Sequence, residues 1–319
     1  MPFAPSTRIK PPALRPGDTV GIVAPASNIR RELLQAGCER LRALGYKPFY
    51  FDSIFDQDLY FAGSIERRAR ELEEMFVRPE VRAIVCARGG YGSNYLLGIL
   101  DHMKIERHPK IFVGYSDITS LLTYFADSAG FVTFHGPMLT KDFALDDGVD
   151  LAAWNAALGG QSEWSLDMGP ESGVKPLAEG SAEGILYGGC LSILVASLGT
   201  PYELQTEGTI LFLEDIAAKP FQIDRMLMQL KLANKLSGVL GLVFGEMIDC
   251  VQTPNKDQGY TLEEVILRVV GDLKIPIAYG LRSGHVSRRN VTLPLGVRAG
   301  LTVSGGQVSL KILEAATTA

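Results

Sequence analysis

Short apolar runs alternate with helical patterns from Thr19 to about Phe134. Residues 20–24 read as a buried strand. Leu33, Leu34, Cys38, Leu41 and Leu44 then recur at three- and four-residue spacing until Gly45 stops the helix. A strand at residues 47–51, a charged helix at 65–76 and a second apolar strand at 82–87 follow, with Pro79 separating helix from strand. After a glycine-rich loop come a helix at 94–100, a strand at 111–115, a helix at 117–126 and a strand at 131–134. Alternation of this kind predicts an α/β fold, a doubly wound and mostly parallel sheet with helices on both faces.

The pattern weakens between residues 139 and 180, where Asp146, Asp147, Gly148, Gly159, Gly160, Gly169 and Pro170 mark loops around one short helix at 151–158. A boundary near residue 165 is expected, dividing the chain into an N-terminal α/β domain, 1–165, and a C-terminal domain, 166–319. The second part shows a glycine-rich turn and helix at 188–198, strands at 209–213 and 239–245, and a helix at 223–233. Residues 290–313 read as antiparallel strands joined by a Gly305-Gly306 hairpin. This is a mixed α+β unit rich in antiparallel strands and no copy of the first.

Composition narrows the function. The 319 residues suit two domains, and 31 Lys and Arg against 36 Asp and Glu give a formal net charge of -5. The short basic pairs at Arg30-Arg31, Arg67-Arg68 and Arg288-Arg289 are too scattered to neutralise phosphates, so no nucleic-acid partner is expected. The N-terminus lacks the apolar run of a signal peptide, and no stretch reaches the ~20 apolar residues of a bilayer span; the expectation is a cytoplasmic protein with no membrane partner. Four cysteines, at positions 38, 86, 190 and 250, have no CxxC spacing and lie in apolar segments, so buried thiols are expected rather than a metal site or disulfides.

Chemistry concentrates at strand ends. Ser116 stands at the turn between an apolar strand and an apolar helix, the position of a nucleophile elbow, though the pattern Gly-Tyr-Ser-Asp-Ile lacks the second glycine of that motif. A serine before aspartate at a helix start is equally an N-cap. The loop Ala87-Arg-Gly-Gly-Tyr-Gly-Ser opens at the same sheet edge, where open α/β sheets bind ligands, and Gly89, Gly90 and Gly92 let backbone approach a ligand closely. Neither a Walker ending nor GxGxxG is present, so no nucleotide cofactor is indicated. A base for Ser116 must come from four histidines. His102 and His108 lie in a charged connection that reads as surface, while His135 ends a strand beside Gly-Pro, where it is the runner-up base or equally a histidine bonded to backbone. His285 sits in a glycine-flanked loop after the apolar segment 277–279. Glu214 and Asp215 end a buried strand and face opposite ways, so only one of them can orient the base; their order alone does not choose between them, and the pair equally reads as a solvated strand end that caps the next turn.

Together, Gly17-Asp-Thr-Val-Gly-Ile-Val-Ala-Pro-Ala-Ser, Ala87-Arg-Gly-Gly-Tyr-Gly, Gly114-Tyr-Ser-Asp, His135-Gly-Pro, Leu213-Glu-Asp and Ser283-Gly-His resemble the LD-carboxypeptidase family of serine peptidases, in order from about residue 13 to 305. The resemblance implies a triad of Ser116, Glu214 and His285, and an oxyanion hole from the backbone N–H groups of Gly90 and Asp117. It also implies a homodimer, no metal or organic cofactor, and a small peptide substrate: the tetrapeptide of recycled peptidoglycan, cut between an L-configured diaminopimelate centre and terminal D-alanine. Arg88 and Arg282, beside these loops, are candidates for binding the terminal carboxylate, with Gly89 a candidate substrate contact. One branch of the family resembles microcin-immunity peptidases that cleave peptidyl or aminoacyl nucleotides. Cys190 stands where the family often has asparagine, which bears on substrate preference. A non-catalytic binding protein would use the same crevice without an aligned triad. A cysteine amidohydrolase would need its thiol at position 116.

Overall fold

Buried apolar runs become strands and the three-and-four spaced runs become helices. The computed structural model describes residues 8–166, 168, 172–251 and 259–319. Its strands are β1 (Thr19–Val23), β2 (Lys47–Phe49), β3 (Val81–Cys86), β4 (Ile111–Gly114), β5 (Thr133–His135), β6 (Trp164–Ser165), β7 (Lys175–Ala178) and β8 (Gly180–Cys190). They continue as β9 (Thr209–Glu214), β10 (Gly241–Gly245), β11 (Ile277–Leu281), β12 (Leu293–Leu295), β13 (Arg298–Ser304) and β14 (Gln307–Ile312). The α-helices are α1 (Arg31–Ala43), α2 (Ile65–Val77), α3 (His102–Glu106), α4 (Thr119–Asp127), α5 (Leu151–Leu158), α6 (Leu191–Ala196), α7 (Pro220–Leu232) and α8 (Leu262–Val270).

Among the described residues the strands form two sheets. The first runs β12-β5-β4-β3-β1-β2 and is parallel except for β12, which pairs antiparallel with β5 through Leu293 opposite His135. The second runs β6-β14-β13-β8-β9-β10-β11-β7, with β8 to β11 parallel and both flanks antiparallel. The mixed α/β class read from the alternation is therefore the fold. β12 lies well past residue 165 in sequence, yet it pairs in the first sheet.

Strand periodicity decides what each face covers. Leu186, Ile210, Phe212, Val243 and Ala278 point into the cluster that also holds Val85, Val113 and Phe134 of the first sheet. Their neighbours Tyr187, Leu211, Leu213, Leu242, Phe244 and Ile277 pack under Ile223, Leu227 and Leu230 of α7 and Ile266 and Val269 of α8. β9 is buried along its whole length, which is why it reads as a continuous apolar run rather than an alternating one. Each such Leu or Phe contributes about 1.5–3 kcal/mol by leaving water.

Two elements differ from their expectation. Residues 94–100 form only a 3₁₀ turn at Ser93–Leu96. The glycine-rich segment at 188 is no turn: it is the end of the eleven-residue strand β8. A Cβ on Gly189 would lie 2.7 Å from the Thr119 side chain, so glycine here lets α4 approach the second sheet. Among the described residues no helix is long and apolar enough to cross a membrane.

Candidate active site

β4 ends at Gly114 and the chain turns sharply through Ser116 into a 3₁₀ turn, Ser116–Ile118, and then α4. Ser116 has φ +63°, a left-handed conformation that is unfavourable for a residue with a side chain and that characterises nucleophile elbows. Its hydroxyl makes no capping bond to the helix behind it. The neighbouring Asp117 carboxylate instead accepts from the Ser93 N–H at 2.8 Å, and the Asp117 carbonyl accepts from the Ser93 hydroxyl at 2.6 Å. These two bonds tie the elbow to the glycine loop.

That loop lies against the serine because Gly89 has no side chain: a Cβ there would be 2.9 Å from Ser116 Cβ. Gly90, with φ +99°, passes Ser27 so closely that a Cβ would sit 2.3 Å from its hydroxyl oxygen. The first strand-end loop braces the second, since Ser27 N–H donates to the Gly89 carbonyl at 3.2 Å and the Ser27 hydroxyl accepts from Tyr91 N–H at 3.1 Å. Behind both, the buried Arg68 guanidinium donates to the carbonyls of Pro25 and Gly92 at 2.7 and 2.8 Å. Nothing in the sequence separates Arg68 from the other charges of its helix.

From the second sheet, β9 delivers Glu214, which is fully buried. One carboxylate oxygen, Oε2, accepts from the His285 backbone N–H at 3.0 Å and meets His285 Nδ1 at 2.7 Å. Burial alone would raise the Glu214 pKa, but the two histidines against the carboxylate, His135 at 3.7 Å and the hydrogen-bonded His285 at 2.7 Å, outweigh it and hold the carboxyl at about 2. Asp215 points the other way, accepting from the N–H groups of Ser192 and Ile216 at 2.8 Å each. It is thus a cap for α6 and the following turn. His285 rides on the connection between β11 of the second sheet and β12 of the first, which carries it to the Ser116 side.

Ser116 and His285 line one cavity of about 380 Å³, together with Tyr115, Gly89, Gly90 and three cations, Arg30, Arg88 and Lys141. No hydrogen bond joins Ser116 to His285 among the described residues, a separation common before substrate binds. Lys141 was not singled out from the sequence. It arrives because Thr140 bonds the Ala87 carbonyl through both its N–H, at 2.9 Å, and its hydroxyl, at 2.8 Å. Its ammonium lies 5.9 Å from the Tyr115 ring centre. Arg88 donates to the Asn28 carbonyl at 3.1 Å at the cavity's edge. Arg282 is not brought to this cavity; it lines another, with Asp150, Trp164 and Arg289.

The remaining histidines divide as their surroundings suggest. His102 and His108 lie at or near the surface of the charged connection, beside Glu106 and the Lys104 carbonyl respectively. His135 is buried behind Glu214 rather than beside Ser116. All four cysteines are free and buried. Burial first, then the charges of Glu214 and Asp215, push the Cys190 thiol well up. Among the described residues no group of three or more His, Cys, Asp and Glu side chains is placed to hold a metal ion.

Residues 20–136 match the family model described as the LD-carboxypeptidase N-terminal domain, and residues 183–301 match that of the C-terminal domain. A probable murein peptide carboxypeptidase of Bacillus subtilis is 39% identical over 302 residues, covering 94% of this chain and 93% of the relative. Among solved structures, a muramoyltetrapeptide carboxypeptidase from Oxalobacter formigenes superposes with TM-score 0.83 at 31% identity, covering 94% of this chain and all of that one. The structure of MccF in complex with glutamyl sulfamoyl guanosine gives TM-score 0.88 at 25% identity, with 97% and 99% coverage.

Proposed function

Since the chain belongs to the LD-carboxypeptidase family, we propose that it is a serine peptidase that removes terminal D-alanine from the L-centre of a murein tetrapeptide. The observation that carries this reading is the buried Glu214–His285 pair, aimed at a cavity that also holds the strained Ser116.

In this mechanism Ser116 Oγ attacks the scissile carbonyl while His285 Nε2 takes its proton. Glu214, bonded to Nδ1, holds the ring in the required tautomer and balances the imidazolium that forms. The N–H groups of Gly90 and Asp117 receive the oxyanion, each such donor being worth ~10²–10³ in rate. His285 returns the proton to the departing D-alanine amine, water attacks the acyl-enzyme, and the same histidine serves as base again. The free carboxylate of D-alanine meets the cations of the cavity, Lys141 and Arg88. We further propose a cytoplasmic homodimer acting on recycled muropeptides; light scattering on the purified protein reads the dimer.

A second reading is a peptidase acting on aminoacyl nucleotides, and it draws on the MccF likeness. One experiment decides. The protein is incubated with L-Ala-γ-D-Glu-meso-diaminopimelyl-D-Ala and released D-alanine is followed by mass spectrometry, beside Ser116→Ala. Release lost in the variant supports the proposal. No release by the wild type turns the reading to aminoacyl nucleotides, and release surviving in Ser116→Ala ends the serine mechanism.

A further inference from the structure

The proposed chemistry leaves His135 unused, although the ring is fully buried at the end of β5 with Phe212 at 5.1 Å and Tyr115 at 6.0 Å between ring centres. Its Nδ1 lies 2.9 Å from the Ser283 hydroxyl oxygen, and that hydroxyl donates its single hydrogen to the Val291 carbonyl at 2.8 Å. Ser283 therefore accepts from His135, and Nδ1 carries a hydrogen. The other ring nitrogen, Nε2, is 3.7 Å from Oε1 of Glu214, the carboxylate oxygen that His285 does not use. Both atoms are buried without a hydrogen-bond partner among the described residues. A lone pair on Nε2 would confront a carboxylate oxygen at 3.7 Å. An N–H there sets a donor against the acceptor and lets opposite charges face each other where neither is in water.

The loop above them is built for this contact. A Cβ on Gly284 would lie 2.7 Å from Glu214 Cδ and 2.8 Å from His135 Cε1, so only a glycine lets the loop close over both side chains. Within three residues, Ser283 sets the His135 ring, Gly284 admits the contact and His285 takes the other carboxylate oxygen.

We propose that His135 is a positioning residue that bears hydrogens on both ring nitrogens and directs Nε2–H at Glu214 Oε1 across 3.7 Å, a charge contact that holds the carboxylate orienting His285. The inference rests on the triad reading for its catalytic meaning. Its first test does not depend on turnover: ¹⁵N-histidine-labelled full chain at neutral pH, with His135→Gln for assignment. Both nitrogens of the His135 ring should resonate in the hydrogen-bearing range; a lone-pair signal from Nε2 overturns the proposal. Failure of the triad is read separately, by hydrolysis surviving in Ser116→Ala.

The second test is kinetic. In His135→Gln the side-chain amide keeps a donor near the Nε2 position, and kcat should stay within about threefold of wild type. In His135→Phe no donor remains, and kcat should fall on the order of 10²-fold with KM little moved. Equal losses in the two variants, or full kcat in His135→Phe, overturn the assignment; if His135→Phe does not fold, the nitrogen spectrum alone decides.

Discussion

Gly89→Ala probes the elbow with one methyl group. Gly89 does not use the left-handed conformations reserved for glycine, so its backbone accepts alanine and the effect falls on neighbours alone. The new Cβ would lie 2.9 Å from Ser116 Cβ, 3.2 Å from its Oγ and 3.3 Å from the Tyr115 carbonyl, so the tightest overlap is about half an ångström. The loop cannot withdraw freely, since Ser27 N–H holds the Gly89 carbonyl and Thr140 holds Ala87. Ser116 must yield instead. Overpacking of this size costs about 1–3 kcal/mol, or a few degrees in Tm for a protein of this length. A nucleophile displaced by half to one ångström loses up to ~10² in rate. The expected result is a kcat/KM for D-alanine release reduced about 30- to 100-fold, with a cooperative melt only slightly lowered. A kcat/KM within twofold of wild type would refute the claim that the glycine loop sets the position of Ser116.

Glu214→Gln should lower kcat by ~10³–10⁴ because His285 loses the anion that orients it, whereas Asp215→Asn, whose carboxylate accepts from the N–H groups of Ser192 and Ile216 on the far side from His285, should keep kcat within about threefold and lose about 1 kcal/mol of stability. Because the folded Glu214 pKa is depressed from 4.5 to about 2, its contribution is present in full above pH 4.5 and is lost as pH falls from there toward 2. The shift corresponds to on the order of 3 kcal/mol, so the stability read from denaturant titrations should fall more steeply with falling pH across that window in wild type than in Glu214→Gln. Lys141→Met should raise KM about tenfold for the free tetrapeptide and leave KM unchanged for its C-terminal amide, since Lys141 is exposed and pairs with no carboxylate among the described residues.

The first sheet was legible because each of its parallel strands is short, apolar and separated from the next by a helical period. β8 was not, because Gly188 and Gly189 look like turn residues until the close approach of Thr119 gives them a reason. α8 begins with a capping box at Thr261 and Glu264, a signal present in the sequence but weakly flanked. Ser116 is offered as a candidate by its strand–turn–helix setting, which fits an N-cap as well as an elbow. Choosing between Glu214 and Asp215 could not be done that way, because both are buried and the answer depends on which face of β9 meets the first sheet.

The same reason explains why Lys141, Arg68 and the role of His135 escaped a local reading. The site is assembled at a junction where β4 brings Ser116, β9 brings Glu214, and the passage from β11 to β12 brings His285 from one sheet to the other. The pairing that anchors this passage, Leu293 with His135, joins residues more than 150 positions apart. It places His135 on the same strand pair that receives the His285 loop. No periodicity over ten or fifteen residues encodes such a contact. What local sequence does carry is the permission for it: Gly284, with φ +92°, is the residue whose missing side chain lets Glu214, His135 and His285 occupy one volume. A glycine between a serine and a histidine therefore holds the site's geometry as much as its polar neighbours do, and its meaning becomes visible only when the two sheets are set against each other.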